Sequence, residues 1–173
     1  LGVTYYWRVD EVYNGNPVRG PVWSFAVGDY LLVDDFEGYT DDDAAGEAIW
    51  QTWIDGFGVN NNGAVVGYVM PPYAERRIVH GGAQSMPYDY DNSGPANLSE
   101  ATADVANLAI GQDWTAGGTT MLSLWFNGDP ANAPERMYVV LSSTNNATGV
   151  VTHDNADAAL MARWTRWSIP LAA

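Results

Sequence analysis

The chain has 173 residues, 47% of them hydrophobic, with 21 Asp and Glu set against seven Arg, no Lys and a formal net charge of −14. That is enough apolar material for one domain with a real core. It lacks the cationic surface that nucleic acid or an anionic membrane requires, so neither is a partner. The absence of Cys excludes thiol catalysis, thiolate zinc and disulfides, and the absence of Lys excludes Schiff-base chemistry. Neutral ligands and divalent cations stay compatible with this composition.

Residues Thr4 to Val9 are β-branched and aromatic, as strands prefer. Asn14-Gly15-Asn16-Pro17 is a turn cluster, and Pro21 to Phe25 alternates again. The two segments read as strands joined by a loop. Gly28-Asp29 then marks a boundary. Tyr30 to Phe36 reads as a strand that runs into Asp34, Asp35 and Glu37, with Asp41, Asp42 and Asp43 close behind. Carboxylates packed this closely repel unless a cation or water lies among them. With Arg scarce, a hard ion such as calcium is the natural partner, and a solvated acidic loop is the alternative.

Trp50 to Gly56 reads as a short strand or turn carrying two Trp. Ala64 to Val69 is a strand stopped by Pro71-Pro72, and Arg76 to His80 forms another short strand. In Ser85 to Asn92, Met86, Tyr88 and Tyr90 share one face, and Pro87 marks an edge or bulge. Ser99 to Ala103 adds a short strand, overlapping a weakly helical stretch from Ala101 to Ile110. Thr119 to Phe126 is the best internal strand, with Met121, Ser123 and Trp125 opposite Leu122, Leu124 and Phe126. Met137 to Ser142, Gly149 to His153 and Trp164 to Leu171 complete the set, with a helical turn within Asp154 to Met161. Many short strands, Gly/Pro/Asn turns and little helix predict an all-β fold, a β-sandwich of jelly-roll type preceded by a β-hairpin.

Two resemblances sharpen this reading. LGVTYYWRVDEV with GPVWSFAV is similar to the last two strands of a fibronectin type III domain, which places residues 1–28 apart from a domain at 29–173. From Tyr30 onward the chain resembles the β-jelly-roll, galactose-binding-like carbohydrate-binding modules of large secreted proteins of environmental bacteria. VDDFEG, HGGAQSM and WTRWSIPL carry that resemblance. It implies secretion, binding of a polysaccharide, and a structural calcium ion held by Asp35 and Glu37 with Gly82 and Gln84. Such modules close with one or two further strands, so a bare sheet edge and a homodimer that completes it are expected. The chain opens on Leu1 and reads as a fragment, so a missing signal peptide says little.

Three functions follow. The first is recognition of a neutral polysaccharide or oligosaccharide, whose apolar ring faces stack on aromatics. Trp50, Trp53, Tyr88, Tyr90 and Trp125 are the candidate rings, although Trp125 sits inside the strongest strand, where a core role competes. The second is a calcium-dependent hydrolase of a small ester or lactone, drawing on His153 and Asp154, His80 and Ser85. Neither a G-x-S-x-G elbow nor an H-E-x-x-H pair is present to support it. The third is a structural or adhesive module that uses calcium only for stability.

Overall fold

The computed structural model of the chain describes residues 2–95, 97–143, 145 and 147–171. They form an all-β, sandwich-like fold with one short helix and no closed barrel, in which every ladder is two-stranded.

The N-terminal unit is a hairpin within a hairpin. Strand β1 (Thr4–Arg8) pairs antiparallel with β4 (Val22–Ala26), and between them β2 (Glu11–Tyr13) pairs with β3 (Asn16–Val18). Asn14 and Gly15 both have positive φ (49° and 79°), the backbone a two-residue turn between twisted strands requires. Hydrogen bonds from Val27 N to Val3 O and from Gly2 N to Gly28 O carry the ladder to the boundary read at Gly28-Asp29. None of residues 2–28 is buried.

Tyr30 to Phe36 is not a strand. The Asp34 carboxylate accepts the Phe36 N–H at 2.8 Å, and Phe36 adopts φ 64°. This local turn breaks the extended geometry that would have set Asp35 and Glu37 on one side. Trp50 to Gly56, read as a short strand or turn, forms no strand. Its first half is the helix α1 (Ile49–Thr52), opened by the Gln51 side chain accepting Ala48 N–H at 2.9 Å.

Next, β5 (Ala64–Val66) pairs with β6 (Tyr88–Tyr90). The strand ends before Gly67, whose φ of 79° favours glycine and where a side chain would crowd Ile49 and Tyr73. Arg76 to His80 and Ser99 to Ala103 are not strands. Only the single bridges Glu75–Ser85 and Ile54–Thr102 form there, and Val105–Asn107 is a 3-10 turn capped by Asp104.

The C-terminal half follows the alternation closely. Strand β7 (Met121–Phe126) pairs with β10 (Thr165–Pro170), and β8 (Tyr138–Ser142) pairs with β9 (Thr148–Thr152). The inner face of the β7–β10 ladder carries Leu122, Leu124 and Phe126 beside Trp167 and Ile169, which are 8% and 1% exposed. Ile49, Val66, Ala64 and Ala158 are also buried. Because the core is built from few large side chains, each one matters. Ile169→Ala is expected to cost about 2–5 kcal/mol in urea unfolding, and Ile78→Ala, at an exposed position, less than about 0.5 kcal/mol.

Candidate functional site

The acidic stretch after Val33 meets its donors within the chain. Asp34 accepts three hydrogen bonds: from Phe36 N–H, from the Tyr39 hydroxyl at 2.6 Å and from the Trp53 indole N–H at 2.7 Å. Asp41 accepts Tyr73 N–H at 2.9 Å and pairs with the Arg76 guanidinium at 2.8 Å. Glu47 accepts from the Thr40 hydroxyl at 2.7 Å, and Asp42 from Ala45 N–H at 2.9 Å. The sequence places Asp34 in the acidic cluster but not among the expected calcium ligands. An indole N–H on a core-facing Trp needs an acceptor, and that was the available signal.

Of the four residues expected around calcium, three come together. Glu37 Oε1 accepts Ala83 N–H at 2.9 Å and Gln84 N–H at 3.1 Å. Gly82 leads into this contact with φ 73°, and a Cβ there would lie 2.2 Å from the Glu37 carboxylate oxygen. The buried Gln84 amide donates to Phe36 O at 2.6 Å and to Tyr39 O at 2.9 Å. Asp35 instead accepts Glu37 N–H at 3.1 Å within its own loop. A carboxylate, two carbonyls and an amide are oxygen donors of the kind calcium takes. Here the Gln84 NH₂ joins the two carbonyls as a hydrogen-bonded clasp, and Glu37 with the Phe36 and Tyr39 carbonyls are also the oxygens that would hold an ion at this corner. Among the described residues, no three His, Asp or Glu side chains gather in a metal-binding group.

The candidate aromatics differ in what holds each ring. Trp50 is half-buried, edge-on to Tyr73 at 6.0 Å. Trp53 is half-buried and tied to Asp34. Tyr88 donates its hydroxyl to Ser99 O at 2.6 Å, and Tyr90 donates to Ala133 O. These four rings serve mainly to join segments of the fold. Trp125 differs. It stands on the outer face of the β7–β10 ladder, 42% exposed, opposite Arg166. His80 stacks on its ring at 3.9 Å and 24°, and Trp164 meets His80 edge-on at 5.5 Å. Neither Trp164 nor Arg166 was read as a site residue, because the register that brings β10 beside Trp125 is not visible in either strand alone.

The candidate catalytic groups are not brought together by the two His. His80 lies against Trp125, while His153 packs edge-on to Phe126 at 5.5 Å and to Trp167 at 4.9 Å. Trp125 and Phe126 are successive strand residues and point to opposite faces, so the sheet separates the two imidazoles. His153 Nδ1 accepts Asn155 N–H at 3.0 Å, Asp154 is exposed, and the Ser85 hydroxyl donates to Ile78 O at 2.7 Å.

Tyrosines answer several of the carboxylates, and their ionisation is pushed up accordingly. Burial, then the hydrogen bond to Asp34, raises the Tyr39 hydroxyl from 10.0 to about 12. The bond to Glu75 raises Tyr68 to about 12, and the same contact holds Glu75 below its usual range. Burial and the Glu100 carboxylate, 2.5 Å away, raise Tyr138 to about 12. No family model, curated protein or solved structure matches the chain.

Three outcomes test this account of the acidic region. Asp34→Ala strands an indole and a phenol donor and is expected to cost about 2–4 kcal/mol in denaturant unfolding. A phenol raised in the folded state contributes stability that is whole below its unfolded value of 10.0 and is lost as pH rises through about 12. Alkaline unfolding should therefore set in over that window, with the Tyr39 share of the decline missing in Tyr39→Phe. Chelation with EDTA decides between the clasp alone and an ion at the Glu37 corner, and an unchanged melting temperature leaves the corner to the clasp. A fall on chelation would give the Glu37 corner to calcium, because an ion bound only by the folded chain stabilises it.

Proposed function

We propose that the chain is a carbohydrate-binding module whose ligand surface is the outer face of the β7–β10 ladder around Trp125. The observation that carries this reading is an indole left 42% exposed on a strand while its ring is held by a stacked imidazole. A pyranose presents an apolar face of C–H groups that packs on a flat aromatic, and a ring already fixed in place loses little freedom on binding. His80 supplies that fixation, and Trp164 braces His80 in turn. The sequence motifs similar to jelly-roll carbohydrate-binding modules and the all-β fold agree with this reading. The proposed contact runs through side chains of the chain alone and needs no calcium.

Affinity electrophoresis through gels containing a panel of polysaccharides tests the proposal. At least one polymer should retard the protein, and Trp125→Ala should weaken that binding by about tenfold or more, as expected for a central aromatic anchor. Trp50→Ala removes a ring packed against Tyr73, so it should lower the melting temperature instead. A Trp125→Ala variant that is retarded as strongly as the parent would sink the reading.

A further inference from the structure

The net charge of −14 suggests a ligand without charge, but the acidic residues are not spread evenly. Three segments meet at Trp125: the one carrying His80, the one containing β7, and the one running through Trp164 into β10. Residues 76–88, 114–128 and 158–171 contain no Asp or Glu, yet they hold Arg76, Arg77, Arg163 and Arg166, four of the seven Arg in the chain. Arg76 is paired with Asp41. Among the described residues Arg77, Arg163 and Arg166 form no ion pair, and all three are exposed. Three of the five guanidiniums that form no ion pair among the described residues thus lie in the sequence segments that meet at Trp125, although the Glu37 carboxylate also rests on one of these segments, at the Ala83 and Gln84 N–H groups.

Arg166 is the best placed of them, because it sits directly across the ladder from Trp125. Residues paired across an antiparallel ladder share a face, with side chains about 5 Å apart at their base. A sugar ring lying on the indole therefore sets its edge substituents beside the guanidinium. A hydroxyl there accepts one hydrogen bond from the guanidinium, whereas a carboxylate accepts its planar fork in two parallel charged hydrogen bonds. The acidic remainder of the chain does not prevent this, since charges farther apart than about 8 Å are largely screened at physiological ionic strength.

On these grounds we infer that the Trp125 face binds an acidic polysaccharide of hexuronate units, with the pyranose ring on Trp125 and its carboxylate on Arg166. This rests on the binding face proposed above and adds the class of sugar. Calorimetry with the whole chain at 0.15 M salt, using polygalacturonate and the same polymer after carboxyl reduction, separates the two claims. The uronate polymer should bind more tightly. Arg166→Gln should weaken that binding by about ten- to a hundredfold and bring the two polymers level, the loss expected when a charged hydrogen-bond partner is removed. Arg166→Lys keeps the charge but not the fork and should fall between. Melting temperatures matching the parent establish that the variants are folded. Equal affinity for both polymers, preference for a sulfated galactan, or an Arg166→Gln variant as tight as the parent overturns the charge assignment while leaving the sugar-binding face standing. If neither these polymers nor any neutral glycan binds, both claims fail together.

Discussion

The constraint on which this structure depends is a shortage of cations. With 21 carboxylates and seven Arg, most acidic side chains must find an N–H or O–H donor instead of a countercharge. Asp34 is the fullest case, holding a loop backbone, a phenol and an indole on one carboxylate and so fastening α1 to the segment before it. Glu37 does the same across the chain, reaching the backbone after Gly82, while Gln84 answers two carbonyls from the same loop. Hydrogen bonds to a charged acceptor are roughly twice as strong as neutral ones. Where few large apolar side chains are buried, such clasps carry much of the specificity of the fold.

That economy also shapes the surface. Tyr39, Tyr68 and Tyr138 are turned toward carboxylates, and Tyr88 and Tyr90 toward backbone carbonyls. Phenols used in this way are fixed as part of the frame and are poorly free to meet a ligand. Trp125 escapes because an indole on the outer face of β7 has a histidine for a neighbour rather than an acceptor for its edge. Of the five Arg that form no ion pair among the described residues, Arg77, Arg163 and Arg166 lie in the segments that meet there. The proposed binding face and the structural clasps thus trace to one composition.

The N-terminal hairpin obeys different rules. Its stability is local: a tight turn at Asn14-Gly15 and the ring pairs Tyr5–Phe25 and Trp7–Trp23, at 5.4 and 4.7 Å, across one face of the ladder. Cross-strand aromatic pairs of this kind add roughly 0.2–1 kcal/mol each, little against the entropy of ordering two strands. Nothing in residues 2–28 is buried, so the hairpin contributes no side chain to the core that supports Trp125.

What the sequence determined by itself was everything governed by near neighbours. The period-two alternation of Thr119 to Phe126 and of Trp164 to Leu171 located β7 and β10 to within two residues, and Gly and Asn placed the turns. It failed at Tyr30 to Phe36, where β-prone residues were overruled by a carboxylate whose other partners lie five and nineteen residues away. The family resemblance grouped Asp35 with Glu37, Gly82 and Gln84, but not the turn that keeps Asp35 on the Glu37 N–H within its own loop. Alternation assigns residues to two faces without saying which one meets water. Only the packing of Trp167 and Ile169 against the core turned Trp125 and Arg166 outward, and only the register between two distant strands set them side by side.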